Sequence, residues 1–200
     1  MARALKSQCV LVFGRERQNE PQRTGSEDQK IAYLEGEFEL RSGKKSNYYL
    51  DKYLFETEPI ILIAIASMLA DYAFPWTGLR SESSYATVVA GMELGGVALA
   101  TATSIDCHLP FIIVRKTPKD GTNYGTNYEG TLNSSDKVLL IEDVVTTGEQ
   151  IIKAAKFINE TRATIQRIVA VIDRQQGACE NIINAGFEFH ALFTIADLGI

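Results

Sequence analysis

Glu142 and Asp143 stand side by side in the stretch VLLIEDVVTTGEQ, residues 138–150. Val144 and Val145 follow, then Thr146, Thr147, Gly148, Glu149 and Gln150. The aliphatic run 138–141 reads as a buried strand, and a helical pattern begins near Gly148 or Glu149. The turn between them then lies at a helix N-terminus, where backbone N–H groups lack partners and the dipole is positive. Such a turn cradles phosphate, with threonine hydroxyls as extra donors and Gly148 allowing close backbone approach. Carboxylates do not bind phosphate, but they accept hydrogen bonds from a diol. A phosphate cradle beside a diol acceptor describes a ribose 5-phosphate site. The competing reading is a plain helix start, because Asp and Thr are common caps. That reading leaves two adjacent acids at a strand end without a role. The stretch is neither a Walker loop nor a GxGxxG turn.

Cations that could meet an anion lie elsewhere. Arg41 precedes Lys44 and Lys45; Arg115 and Lys116 follow the apolar run 111–114, with Lys119 close behind; Arg174 follows the run 168–172. Each has an ordinary alternative. The first group suits a solvated turn, the second surface charge. Arg174 suits an ion pair with Asp173 or Glu180, worth about 0–1 kcal/mol. His108 and His190 are isolated histidines beside apolar strands and receive no role.

The elements that must position these groups follow from hydrophobic patterning. Residues 37–53, EFELRSGKKSNYYLDKY, read as a hairpin turning at Ser42-Gly43, with 48–53 strand-like. Residues 58–73 have helical spacing, with Thr57 as N-cap and Pro59 at the start. Strands are expected at 86–90, 111–114, 138–141 and 168–172, the first, third and fourth followed by helices. Apolar strands separated by helices indicate a parallel sheet covered on both faces, so the fold class is α/β, doubly wound. Ligands in such sheets bind beyond the carboxyl ends of strands. That rule selects residues 91–96, 115–120, 142–148 and 173–176. Residues 121–128, GTNYGTNY, repeat four residues in tandem and read as a mobile loop.

Two hundred residues suffice for one domain with a full-sized core. A net charge of −5 argues against nucleic-acid binding through a basic surface. The apolar run 59–70 is too short to span a bilayer. Cys9, Cys107 and Cys179 show neither disulfide nor zinc spacing, so a reducing, cytoplasmic setting is expected, with the thiols as small buried hydrophobes. Residues 14–30 contain no aliphatic or aromatic side chain and read as a partly flexible extension. The expected division is an extension over 1–30 and a single domain over 31–200.

IEDVVTTGEQ resembles the phosphoribosyl pyrophosphate (PRPP) motif of type I phosphoribosyltransferases. FELRSGKKSNYYLD, VAGMELGGVALAT, FIIVRKTPKD and VIDRQ, in this order, resemble segments of the orotate phosphoribosyltransferase family. The resemblance covers about residue 37 to the C-terminus. It implies a mostly parallel sheet with a small N-terminal hood containing the hairpin, the hood near 31–57 and the core near 58–200. It also implies transfer of ribose 5-phosphate from PRPP to orotate, with magnesium carried mainly by the pyrophosphate rather than by protein ligands. Glu142 and Asp143 would hold the ribose hydroxyls. Val144, Val145, Thr146, Thr147, Gly148, Glu149 and Gln150 would form the PRPP loop. Arg41, Arg115, Lys116 and Lys119 would meet pyrophosphate, the backbone of 94–96 approaching it too. Tyr49, Leu50, Thr146 and Arg174 would meet orotate. Lys119, Arg115, Lys116 and Asp143 are the catalytic candidates. The family's basic loop reaches into a neighbouring subunit, implying a homodimer. Here Asp120 is followed by Gly121, and the aromatic-Gly pair that usually follows this segment appears only at Tyr124-Gly125. Transfer to another base, adenine or uracil, and a non-catalytic PRPP sensor are the competing functions.

Overall fold

The computed structural model describes residues 33–39, 45–50, 52–74, 85–116 and 127–198, with side chains from Phe55 onward. The expected extension over 1–30, Arg41 and the segment 117–126 lie outside the described residues.

A hairpin comes first. Strands β1 (Tyr33–Glu39) and β2 (Lys45–Leu50) pair antiparallel, Leu34 opposite Tyr49 and Glu39 opposite Lys45, with an irregularity between Glu35 and Phe38. β1 starts four residues before residue 37, where the hairpin was expected to begin. Tyr53, expected in the strand, belongs instead to the short helix α1 (Lys52–Thr57). Thr57 therefore ends one helix rather than capping the next. Helix α2 (Pro59–Ala73) starts with Pro59, whose missing N–H costs nothing there, and Glu58 occupies its N-cap without a side-chain bond. Its buried Ile61, Ile65, Met68, Leu69 and Ala73 follow the three-to-four spacing of one helical face.

The central sheet has the strand order β5-β4-β3-β6-β7-β8. β3 (Val88–Met92), β4 (Phe111–Val114), β6 (Lys137–Val145), β7 (Thr164–Asp173) and β8 (Phe189–Thr194) are mutually parallel; β5 (Tyr128–Glu129) runs antiparallel at the edge. Helices α3 (Gly95–Cys107), α4 (Glu149–Glu160) and α5 (Ala178–Asn184) make the connections.

Alternate residues of the strands feed two cores. Val89, Leu139, Ile141 and Val169 join α1, α2 and α3 on one face, and Val88, Ala90, Leu140 and Ile168 join α4 and α5 on the other. Helices on both faces explain why β3 is buried along its whole length. In α4 the buried Ile151, Ala154, Ala155 and Ile158 recur at helical spacing, and Lys153, Lys156 and Glu160 face solvent.

Three details differ from expectation. β6 does not stop at Ile141: it continues to Val145, with Val144 opposite Ile172 and Val145 opposite Asp173. Glu142 and Asp143 therefore lie inside a central strand. Asn127 and Tyr128, at the end of the tandem repeat, are tied down: the Asn127 carbonyl accepts the Arg115 N–H at 2.8 Å, and Tyr128 pairs with Val114. Cys107 is half-buried, and burial raises its thiol pKa above the ordinary value, whereas Cys179 is exposed rather than buried. No helix among the described residues is long and apolar enough to cross a membrane.

Candidate active site

β3 and β6 lie side by side, but the chain leaves them in opposite directions. β3 leads through α3 to β4 on one side; β6 leads through α4 to β7 on the other. That divergence opens a crevice at their carboxyl ends, where open α/β sheets bind ligands. The carboxyl ends of β3, β4, β6 and β7 open onto it, and the described parts of the four regions selected from the sequence, 91–96, 115–116, 142–148 and 173–176, lie at that end of the sheet.

Asp143 is 2% exposed and Glu142 7%, both nearly withdrawn from water. Asp143 Oδ1 accepts the N–H of Val144 at 2.5 Å. Its Oδ2 lies against the Cα of Gly95, the first residue of α3, so closely that a Cβ there would overlap it. The carboxylate of Glu56, 5% exposed, reaches the same point from α1 and would sit 2.6 Å from that Cβ. Glycine at 95 is what lets two acids from α1 and β6 converge on the start of α3.

The turn after β6 is built from both sides. Gly148, at the N-cap of α4, has φ +78°, a conformation that costs glycine little. Ile182 of α5 packs on it, and the Gly148 carbonyl accepts the Ile152 N–H at 3.0 Å. Asn181 Nδ2 donates to the Thr147 carbonyl at 2.9 Å. Thr146 is half-buried, while Thr147, Glu149 and Gln150 are exposed; Val145 is buried and Val144 packs at the edge of the core. An anchored turn at a helix N-terminus is a preformed anion cradle.

Arg174 follows β7 directly. Its N–H donates to the Val145 carbonyl at 3.0 Å, which ties the start of this turn to the end of β6, and its side chain is half-buried. Asp173 Oδ1 takes the N–H of Gln175 at 2.8 Å, turning the chain away from the sheet. Beyond β4, Arg115 is half-buried and its Nη1 lies 3.3 Å from Glu129 Oε1; Lys116 is exposed. Tyr49 and Leu50 end β2, just before α1. Arg41 and Lys119 lie outside the described residues.

The structure therefore gathers Glu142, Asp143, residues 144–150, Arg115, Lys116 and Arg174 at one end of the sheet. Sequence reasoning passed over Glu56 and Asn181, and it covered Glu93 only as part of the region 91–96. An acid directly after the apolar pair Leu54-Phe55 was the only signal for Glu56. Asn181 acts through a backbone contact 34 residues away, which leaves no mark in local spacing. Among the described residues no group of three or more His, Cys, Asp or Glu could hold a metal ion.

Residues 54–189 match the phosphoribosyl transferase domain family. The chain is 41% identical over 165 residues to the orotate phosphoribosyltransferase of Halobacterium salinarum, covering 82% of this chain and 87% of that one. To the orotate phosphoribosyltransferase of Pyrococcus horikoshii it is 43% identical over 164 residues, covering 82% and 84%. It superposes on the Mycobacterium tuberculosis orotate phosphoribosyltransferase with a TM-score of 0.74 at 22% identity, over 98% of this chain and 99% of that one. That protein has also been solved in complex with PRPP. A family match over most of the chain, identity above two fifths and a common fold agree: the chain belongs to the orotate phosphoribosyltransferase family.

Proposed function

We propose that the chain transfers the ribose 5-phosphate unit of PRPP to orotate, giving orotidine 5′-phosphate and pyrophosphate in de novo pyrimidine biosynthesis. The observation that carries this reading is the crevice between β3 and β6. There the buried Asp143 lies against the start of α3, beside the anchored turn at the N-terminus of α4.

The N–H groups and hydroxyls of residues 146–149 hold the 5-phosphate, and Glu142 and Asp143 accept hydrogen bonds from the ribose hydroxyls. Arg41, Arg115, Lys116 and Lys119 surround the pyrophosphate, with the backbone of 94–96 beneath it. Tyr49, Leu50 and Thr146 line the base pocket. Arg174 pairs with the orotate carboxylate, a planar anion suited to a guanidinium. The bond from the ribose carbon to pyrophosphate breaks with its electron pair leaving on pyrophosphate, and a bond to a ring nitrogen of orotate forms as that nitrogen gives up its proton to solvent or to the departing pyrophosphate. Positive charge grows on the sugar and negative charge on the leaving group, so placed cations and excluded water carry most of the catalysis. Magnesium, when bound, supplies further neutralisation of the pyrophosphate. The working unit is a homodimer in the cytoplasm whose basic loop completes the neighbouring site.

The test is an ultraviolet assay with PRPP, magnesium and orotate. Loss of orotate absorbance that requires all three, and that chelation abolishes, is the expected outcome. Turnover of adenine or uracil in place of orotate would overturn the choice of base. PRPP binding without turnover of any base would overturn the enzyme reading.

A further inference from the structure

Glu93 is a carboxylate in an awkward place. It follows β3 immediately and precedes the 94–96 turn, whose backbone is assigned to pyrophosphate in the function proposed above. A negative charge beside a polyanion opposes binding unless it is committed elsewhere. Here it is committed. The Glu93 N–H donates to the Val114 carbonyl at 2.8 Å, extending the β3–β4 pairing beyond Met92. Its Oε1 accepts the Lys116 N–H at 2.6 Å, a short charge-assisted bond. One residue thus grips the last residue of β4 and the second residue beyond it. On the other side of the same segment, the Arg115 N–H donates to the Asn127 carbonyl at 2.8 Å and the Arg115 guanidinium lies 3.3 Å from Glu129. The strand exit carrying Arg115 and Lys116 is clamped between β5 and the turn after β3.

We propose that Glu93 is a positioning residue for pyrophosphate recognition. Its carboxylate fixes where the basic segment leaves β4 and locks that segment to the 94–96 turn, so that backbone and cations meet the leaving group as one unit. The Glu93 carboxylate itself touches no substrate. It acts through the Lys116 main chain, so any acceptor oxygen of similar reach serves. The negative charge is not needed. This inference deepens the proposed transfer reaction and rests on it.

Glu93→Gln keeps an acceptor and Glu93→Ala removes it, which separates the bond from the charge. Hydrogen exchange of the Lys116 amide reads the clamp without turnover: exchange should accelerate in Glu93→Ala and stay protected in Glu93→Gln. Kinetics read its consequence. For Glu93→Ala, kcat/KM for PRPP should fall about tenfold or more while the orotate KM moves less than about twofold, the scale expected for a misplaced group. Glu93→Gln should recover most of that loss at an unchanged melting temperature. Unchanged Lys116 exchange in Glu93→Ala would overturn the clamp. Parallel rises in the KM of both substrates, or equal loss in both variants, would overturn the assignment to pyrophosphate. A wild-type chain that fails to turn over orotate counts against the proposed reaction instead, and the exchange comparison still decides the clamp.

Discussion

Asp143 shows how narrow the tolerances of the site are at the scale of single residues. Its Oδ2 occupies the space a Cβ at position 95 would need, with the Glu56 carboxylate beside it. Gly95→Ala must therefore push Asp143 or the start of α3 aside. Its expected effect is a rise of about tenfold or more in the PRPP KM, measured by steady-state kinetics in a variant that still folds. Arg174 follows β7 and is held to the end of β6 by its own N–H to Val145. In the proposed site Arg174→Ala would remove a charge-assisted pair with orotate worth about 1.5–3 kcal/mol, so the orotate KM should rise roughly 10- to 100-fold while the PRPP KM stays near its wild-type value. An orotate KM that does not move would remove Arg174 from the base pocket. Both residues were visible in the sequence, Asp143 by an acid pair in an apolar run and Arg174 by a cation at a strand end. Their partners were not, because Gly95 and Val145 are brought to them by other elements, the helix α3 and the strand β6.

Elements, rather than residues, decide whether the phosphate cradle is rigid. The turn after β6 is held from α5, through Asn181 to Thr147 and Ile182 to Gly148. Gly148 has φ +78°, and a Cβ there would lie 3.0 Å from Ile182. Gly148→Ala should cost about 1–2 kcal/mol from the disfavoured conformation alone, with the contact adding to it. The expected reading is weaker PRPP binding by calorimetry together with a lower midpoint of denaturation. Element boundaries were the least legible part of the sequence. β6 was expected to end at Ile141, because two acids look like a strand end. It continues to Val145 because β7 supplies partners for the backbone as far as Asp173. β8 went unrecognised because FHALFT is short and only partly buried. Thr57, a good cap by residue type, closes α1 instead.

Across the whole molecule, the end of the sheet opposite the site carries its own polar anchor. Arg167, 3% exposed, donates from Nε to Glu188 at 2.9 Å and from Nη1 to the Tyr72 carbonyl at 3.0 Å; His190 Nε2 meets Glu188 at 3.0 Å. This joins α2, β7 and β8 roughly 20 Å from Arg174, at about 3.3 Å per strand residue. Arg167 is buried while Glu188 stays partly exposed, so Arg167→Ala should destabilise the fold by about 1.5–3 kcal/mol through its lost charged hydrogen bonds. Chemical denaturation measures that loss. Transfer activity well below the melting temperature should be little changed, since Arg167 lies at the far end of β7 from the crevice.

The sequence by itself determined the class of fold and led to the ligand chemistry proposed above. Apolar strands alternating with helices admit only a covered parallel sheet, and acids followed by Thr-Thr-Gly at a helix start match a ribose 5-phosphate. Both signals are local, written in spacing along one segment. Tertiary structure alone decided which groups stand together: Glu56 with Asp143 over Gly95, Glu93 on the Lys116 main chain, Asn181 beneath Thr147, and Arg167 between α2 and β8. Each of those contacts joins residues far apart in sequence, and the strand order that brings them together depends on how the whole chain buries its two apolar faces.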